Sequence, residues 1–143
     1  MNDVLLKFNG IIDEEIEAYE ALSELYQLKQ SALVQGQSDA LWDIDAQIIE
    51  KAKNIKELNG KRKVIAGYLG DENLTLSGAI EKAKAANDDI AEKLEAQKTK
   101  INIITKTLML QENTNMTLVK HGLTMVGKTL DIIVGIISPQ TQG

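Results

Sequence analysis

The chain has 143 residues and a net charge of -5, with 16 basic against 21 acidic side chains, which argues against nucleic acid as its main partner. It contains no cysteine, which removes disulfide frameworks and thiol chemistry and is compatible with a reducing cytoplasm. One Phe, one Trp and three Tyr are few for a β-rich or base-stacking domain, and the length suits one domain with its own core.

Long helices are the expectation throughout, because the single proline, Pro139, lies beyond every periodic segment. The start of the chain has Asp3 and only Lys7 for a basic region, so no signal peptide is predicted. The first helix is predicted over 1–34, where Leu5, Phe8, Ile12, Tyr19, Leu22, Tyr26 and Leu33 follow a seven-residue repeat. Glu15 and Lys29 interrupt that seam. Gly36 is the expected terminator, and Ser38 the expected N-cap of a second helix over 39–69. The second helix carries Ile44, Ile48, Ile55, Leu58, Ile65 and Leu69, with Lys51 and Arg62 in the same seam, where long stems cover apolar surface.

After a break at Gly67 to Asn73, Thr75 or Ser77 is positioned to cap a third helix over 76–112. Leu76, Ile80, Ala83, Ile90, Leu94, Ile101, Ile104 and Leu108 are in register there, and Asp89–Lys93 has the supportive spacing of four. The remaining stretch, 113–138, is an apolar helical segment that either continues the third helix or breaks from it near 112–116. From Asn113 to Ile137 its only formal charges are Lys120, Lys128 and Asp131. Met116, Val119, Leu123, Val126, Leu130, Ile133 and Ile137 alternate steps of three and four, and Leu118 and Met125 flank that row. One stripe suffices to pack a helix into a bundle. A second stripe with almost no charge is surplus apolar surface, the mark of a partner site. Gly122, Gly127 and Gly135 make this helix marginal by roughly 1 kcal/mol each, so it should be firm only when packed.

Charge bears on topology. Asp13, Glu14, Glu15, Glu17, Glu20 and Glu24 form an acidic block on the first helix, and Lys51, Lys53, Lys56, Lys61, Arg62 and Lys63 a basic block on the second. An antiparallel hairpin about Gly36 places the blocks side by side. The expected fold is therefore all-α: an elongated antiparallel hairpin or coiled-coil bundle of three long helices forming a single domain. The apolar run Ile132 to Ile137 is far short of the roughly 20 residues that span a bilayer, so membrane insertion is not expected.

Catalytic constellations are missing. His121, the single histidine, has no Cys or Glu three positions before it, so carboxylate-bridged metal pairs are not expected. The acids from Asp13 to Glu17 fan around a helix instead of converging, and no phosphate loop or nucleophile elbow occurs. The expectation is no enzyme, no cofactor and no metal. For the Met116 to Ile137 stripe three readings stand: completion of the chain's own core, a homodimer seam, or a docking surface for a partner's amphipathic segment. The rival to a binding protein is a self-associating structural coiled coil with no client.

The order of parts resembles the FlgN-type flagellar export chaperones. Lys29 leads into Leu33-Val34 and the polar turn Gln35-Gly36-Gln37-Ser38. Lys61-Arg62-Lys63 precedes Leu69-Gly70, Thr75-Leu76 opens the next helix, and Asn115, Leu118 and Val119 match a late Asn-x-x-Leu-Leu pattern. The resemblance implies a cytoplasmic, non-enzymatic chaperone of type III export. Such a chaperone binds the amphipathic terminal segments of hook–filament junction (hook-associated) proteins, prevents their premature aggregation and delivers them to the export apparatus. Carried onto this chain, the implied partner-binding residues are Met116, Leu118, Val119, Leu123, Met125, Val126, Leu130, Ile133 and Ile137. The tail Ser138 to Gly143 lacks the Tyr-Gly element by which family members contact the export gate, which leaves that contact open.

Overall fold

The turn at Gly36 sets the architecture. A computed structural model of the chain describes residues 1–137, with side chains described as far as Gly122. α1 (Asn2–Gln35) stops because Gly36 adopts φ 67° and ψ 31°, a left-handed conformation that glycine takes without a Cβ penalty. The Gly36 and Gln37 N–H groups return to the Leu33 and Ala32 carbonyls. α2 (Ser38–Tyr68) follows at once, with Gln37 at the cap position one residue ahead of the expected Ser38 and no side-chain capping bond. The two helices run antiparallel, tied by Lys29–Asp45 at 2.8 Å near the turn and by Arg62–Glu15 at 3.1 Å midway. Among the described residues, the second pair is the sole ion pair joining the acidic and basic blocks.

That pair explains the interruption of the seam by Glu15. Glu15 is 1% exposed and faces Arg62, whose side chain is 31% exposed. Burial pushes the Glu15 carboxyl above its usual range, and the Arg62 charge opposes this. Oε1 sits within ion-pair distance but outside hydrogen-bond alignment, so the carboxylate is neutralised by charge without being fully satisfied. The adjacent Tyr19 hydroxyl is likewise raised, by burial first and then by the Glu15 charge.

The sequence predicts three long helices, the last either continuous or broken near 112–116; the described residues instead form four. The interruption falls at Asn87, between α3 (Leu76–Ala86) and α4 (Asp88–Ile137). Asn87 is extended, and its Oδ1 accepts from the Asp89 and Ile90 N–H groups at 3.0 and 3.4 Å. It caps α4, whose first turn carries Asp88 and Asp89 at the positive end of the helix dipole. α4 then runs through 112–116 unbroken. Thr75 caps α3 as expected, its Oγ1 accepting from Gly78 N at 3.0 Å. A Cβ at Gly78 would stand 2.7 Å from Leu74 Cδ1, the tip of a side chain that would have to swing aside. The expected Asp89–Lys93 pair does not form; Lys84 bonds Glu81 and Glu95 instead, each at 3.5 Å.

α3 and α4 therefore make a second, short antiparallel hairpin, with Lys84 opposite Glu95. α4 runs parallel to α1. Gln97 pairs with Asn9, Gln111 with Ser23 and Asn115 with Tyr26, at sequence offsets of 88, 88 and 89. The core is densest where all four helices meet, around Leu5, Phe8 and Ile12 of α1, Ala66 and Leu69 near the end of α2, Ile80 and Ala83 of α3, and Leu94 of α4. Towards the Gly36 turn only α1, α2 and α4 remain. α2 and α4 flank α1 there, and no Cα of one comes within 8 Å of the other among the described residues.

Candidate functional site

An opening between α2 and α4 follows from that geometry. α1 forms its floor with Tyr26 and Lys29, α2 contributes Ile48, and α4 contributes Glu112, Asn115, Met116, Val119 and Lys120. The half-open space is about 350 Å³. Its lining combines Tyr26, Ile48, Met116 and Val119 with the charged Lys29, Glu112 and Lys120, and Lys29 is held by Asp45. Burial raises the Tyr26 hydroxyl above its usual range, and the nearby Glu112 carboxylate adds to the shift.

Asn115 is the polar element of this groove. It is 4% exposed, and its Nδ2 donates to the Tyr26 carbonyl at 3.1 Å. Gln97 and Gln111, its counterparts lower on α4, make the same kind of bond to the Asn9 and Ser23 carbonyls. They also receive one in return, from Asn9 Nδ2 and Ser23 Oγ at 2.9 Å each. Asn115 receives none, and its Oδ1 stays buried without a donor. A buried acceptor left unpaired costs about 1–3 kcal/mol, so Asn115 Oδ1 is a local cost to the fold beneath the groove.

The sequence-predicted residues divide at Gly122. Met116 and Val119 line the groove and are exposed, at 50% and 38%. Leu118, the flanking residue, is half-buried. Leu123, Met125, Val126, Leu130, Ile133 and Ile137 follow on α4, and their side chains lie outside the described residues. Sequence reasoning missed Tyr26, Ile48, Glu112 and Asn115 as parts of a site. Tyr26 and Ile48 are ordinary seam residues in a hairpin, and only the separation of α2 from α4 makes them a wall and a floor.

Among the described residues no group of three or more His, Cys, Asp or Glu side chains could hold a metal ion. His121 is exposed on α4. No helix among the described residues is long and apolar enough to cross a membrane.

Comparison with known proteins agrees with the resemblance drawn from the motifs. The family model described as FlgN protein matches residues 1–142, and the chain belongs to the FlgN family of flagellar export chaperones, which is not an enzyme family. No curated protein and no solved structure matches it.

Proposed function

We propose that the protein is a cytoplasmic, non-catalytic chaperone that holds the amphipathic terminal segments of hook–filament junction proteins before their export. The C-terminal half of α4 is the contact surface, with Met116, Leu118, Val119, Leu123, Met125, Val126, Leu130, Ile133 and Ile137 carrying it. The observation that supports this most is the exposure of Met116 and Val119 at an apolar groove, at the point where the sequence places its surplus stripe. Methionine suits such a surface, because an unbranched, polarisable side chain adapts to more than one apolar partner. A disordered client that folds on binding would cover this stripe with its own apolar face and be kept from aggregating in the same step.

Calorimetric titration with terminal peptides of hook–filament junction proteins tests the reading. The full chain should bind, and Leu123→Asp or Leu130→Asp should abolish binding while the helical circular dichroism of the rest is kept. Unchanged binding in both variants overturns the site. Global unfolding of both assigns the stripe to the chain's own core. Absence of binding by the folded wild-type chain leaves an architectural coiled coil.

A further inference from the structure

The hairpin sets the basic block of α2 beside the acidic block of α1, yet only Arg62 pairs across the seam among the described residues. Lys51, Lys53, Lys56, Lys61 and Lys63 form no ion pair there. Lys51 is half-buried and the other four are exposed. Their direction explains this. Ile44, Ile55, Leu58 and Ala66 are the buried residues of α2. At about 100° per residue, Lys53 and Lys56 stand on the opposite side, with Lys63 at its edge.

That outward side is not simply hydrophilic. Over about 33 Å it presents Trp42, Ile49, Lys53, Lys56, Gly60 and Val64 in one row. Trp42, Ile49 and Val64 are 81%, 58% and 63% exposed. A Cβ at Gly60, or at Gly67 two turns on, would meet nothing within 4 Å, so packing demands neither glycine. Both leave the backbone open to close approach from outside. Glu50 and Glu57 border the row on one edge, about 60–80° round from Trp42, and Asp45 on the other edge is held by Lys29. On α1, Glu20 and Glu24 stand two residues either side of the buried Leu22, so they point about 160° from the seam. A helix is about 10 Å thick and the Debye length at physiological salt is about 8 Å, so these acids are screened from whatever meets α2.

We propose that the outward side of α2 is a peripheral docking face for an anionic lipid bilayer. The helix lies in the plane of the headgroups with the rest of the bundle above it. Ile49, Val64 and the Trp42 ring reach the acyl boundary, while the lysine stems lie alongside and hold their ammonium groups at the level of the phosphates. Charge complementarity favours an anionic occupant, and shape favours a lipid surface over a protein. The outer side of a single helix is convex. The cavities beside α2 open along its edges, at Ile48 on one and at Lys51, Asn54 and Leu58 on the other. This contact goes beyond the chaperone reading and does not rest on it.

Trp42 is the single tryptophan, so its emission reports on this face alone. The full chain, mixed with vesicles of phosphatidylcholine containing one-third phosphatidylglycerol, should co-sediment with them and shift its Trp42 emission to the blue. Pure phosphatidylcholine should do neither. Raising salt from about 0.1 M to about 1 M shortens the screening length from about 10 Å to about 3 Å and should release most of the protein. Lys53→Glu with Lys56→Glu should weaken partitioning at least tenfold at unchanged helical circular dichroism, because each lysine at such a surface is worth about fivefold. Lys93→Glu with Lys100→Glu on α4 makes the same change in net charge and should leave partitioning nearly unchanged. Equal losses in the two pairs reduce the effect to net charge and overturn the face. Binding without a Trp42 shift places the contact elsewhere and overturns it too. Failure of the folded chain to bind anionic vesicles also overturns the proposal, and capture of polyglutamate instead would give the face to an acidic protein.

Discussion

Replacing Arg62 and replacing Glu15 should have very different consequences, although the two residues form one ion pair. Glu15 is 1% exposed, whereas the Arg62 side chain at 31% reaches water. Arg62→Leu strands a carboxylate in the centre of the α1–α2 seam. Breaking a buried pair in this way costs about 3–5 kcal/mol, and the partial exposure of Arg62 places the expected loss near the lower end. Glu15→Leu strands only a guanidinium that can turn to solvent, and it adds an apolar side chain to a seam of Ile12, Leu22 and Leu58; the expected change is within about 1 kcal/mol of zero. The double variant should be at least as stable as wild type.

The pH dependence separates this account from loss of packing. The folded-state pKa of Glu15 is raised by burial, and Arg62 is what opposes the rise. Removing Arg62 raises it further, so the folded variant binds a proton at a pH where the unfolded chain, near its ordinary value of 4.5, has released it. The variant therefore loses stability as pH rises from about 4.5 through the folded pKa, and its deficit against wild type is smallest below 4.5. Urea unfolding followed by circular dichroism, on wild type and the three variants at pH 4.5 and 7, measures this directly. Equal losses for the two single variants, or a deficit for Arg62→Leu that does not change with pH, would refute the reasoning.

Two further outcomes follow from single contacts. Asn87→Ala removes the acceptor for two N–H groups of α4 and should cost about 1 kcal/mol in urea unfolding, while Asn87→Asp should retain most of the stability. Glu112→Gln removes a negative charge that adds to the burial effect on Tyr26, so the ultraviolet titration of that phenol should move down towards 10 while staying above it; an unmoved titration would place Glu112 too far away to matter.

Much of the fold is legible in the sequence because long helices advertise themselves through the spacing of a few residues. Leu5, Phe8, Ile12 and Leu22 occupy the core that their seven-residue repeat implies, and Gly36 and Thr75 end and begin helices where their chemistry suggests. The break at Asn87 was carried by a signal of the same kind, Asn followed by two Asp residues, but Ile80, Ala83, Ile90 and Leu94 stay in heptad register across it. Periodicity and capping thus pointed in different directions, and capping prevailed because reversal at Asn87 lets α3 bury Ile80 and Ala83 against Leu5 and Phe8. Around 112–116 the sequence leaves both continuation and a break open, and the helix continues. Asn115 is tolerated inside α4 because its amide bonds the Tyr26 carbonyl on α1 rather than its own backbone.

The groove was not legible, because no residue in it is unusual for its helix. It arises from the length of α3. Eleven residues cover about 16 Å, whereas α1, α2 and α4 are each at least thirty residues long. A bundle in which three helices run the full length and the fourth runs part of it must leave one lateral face uncovered over the remainder. Polar substitution along that face would make it inert. Instead Met109, Met116 and Val119 remain there on α4 and Ile48 opposite. That pattern leaves the α4 face opposite Ile48 uncovered among the described residues.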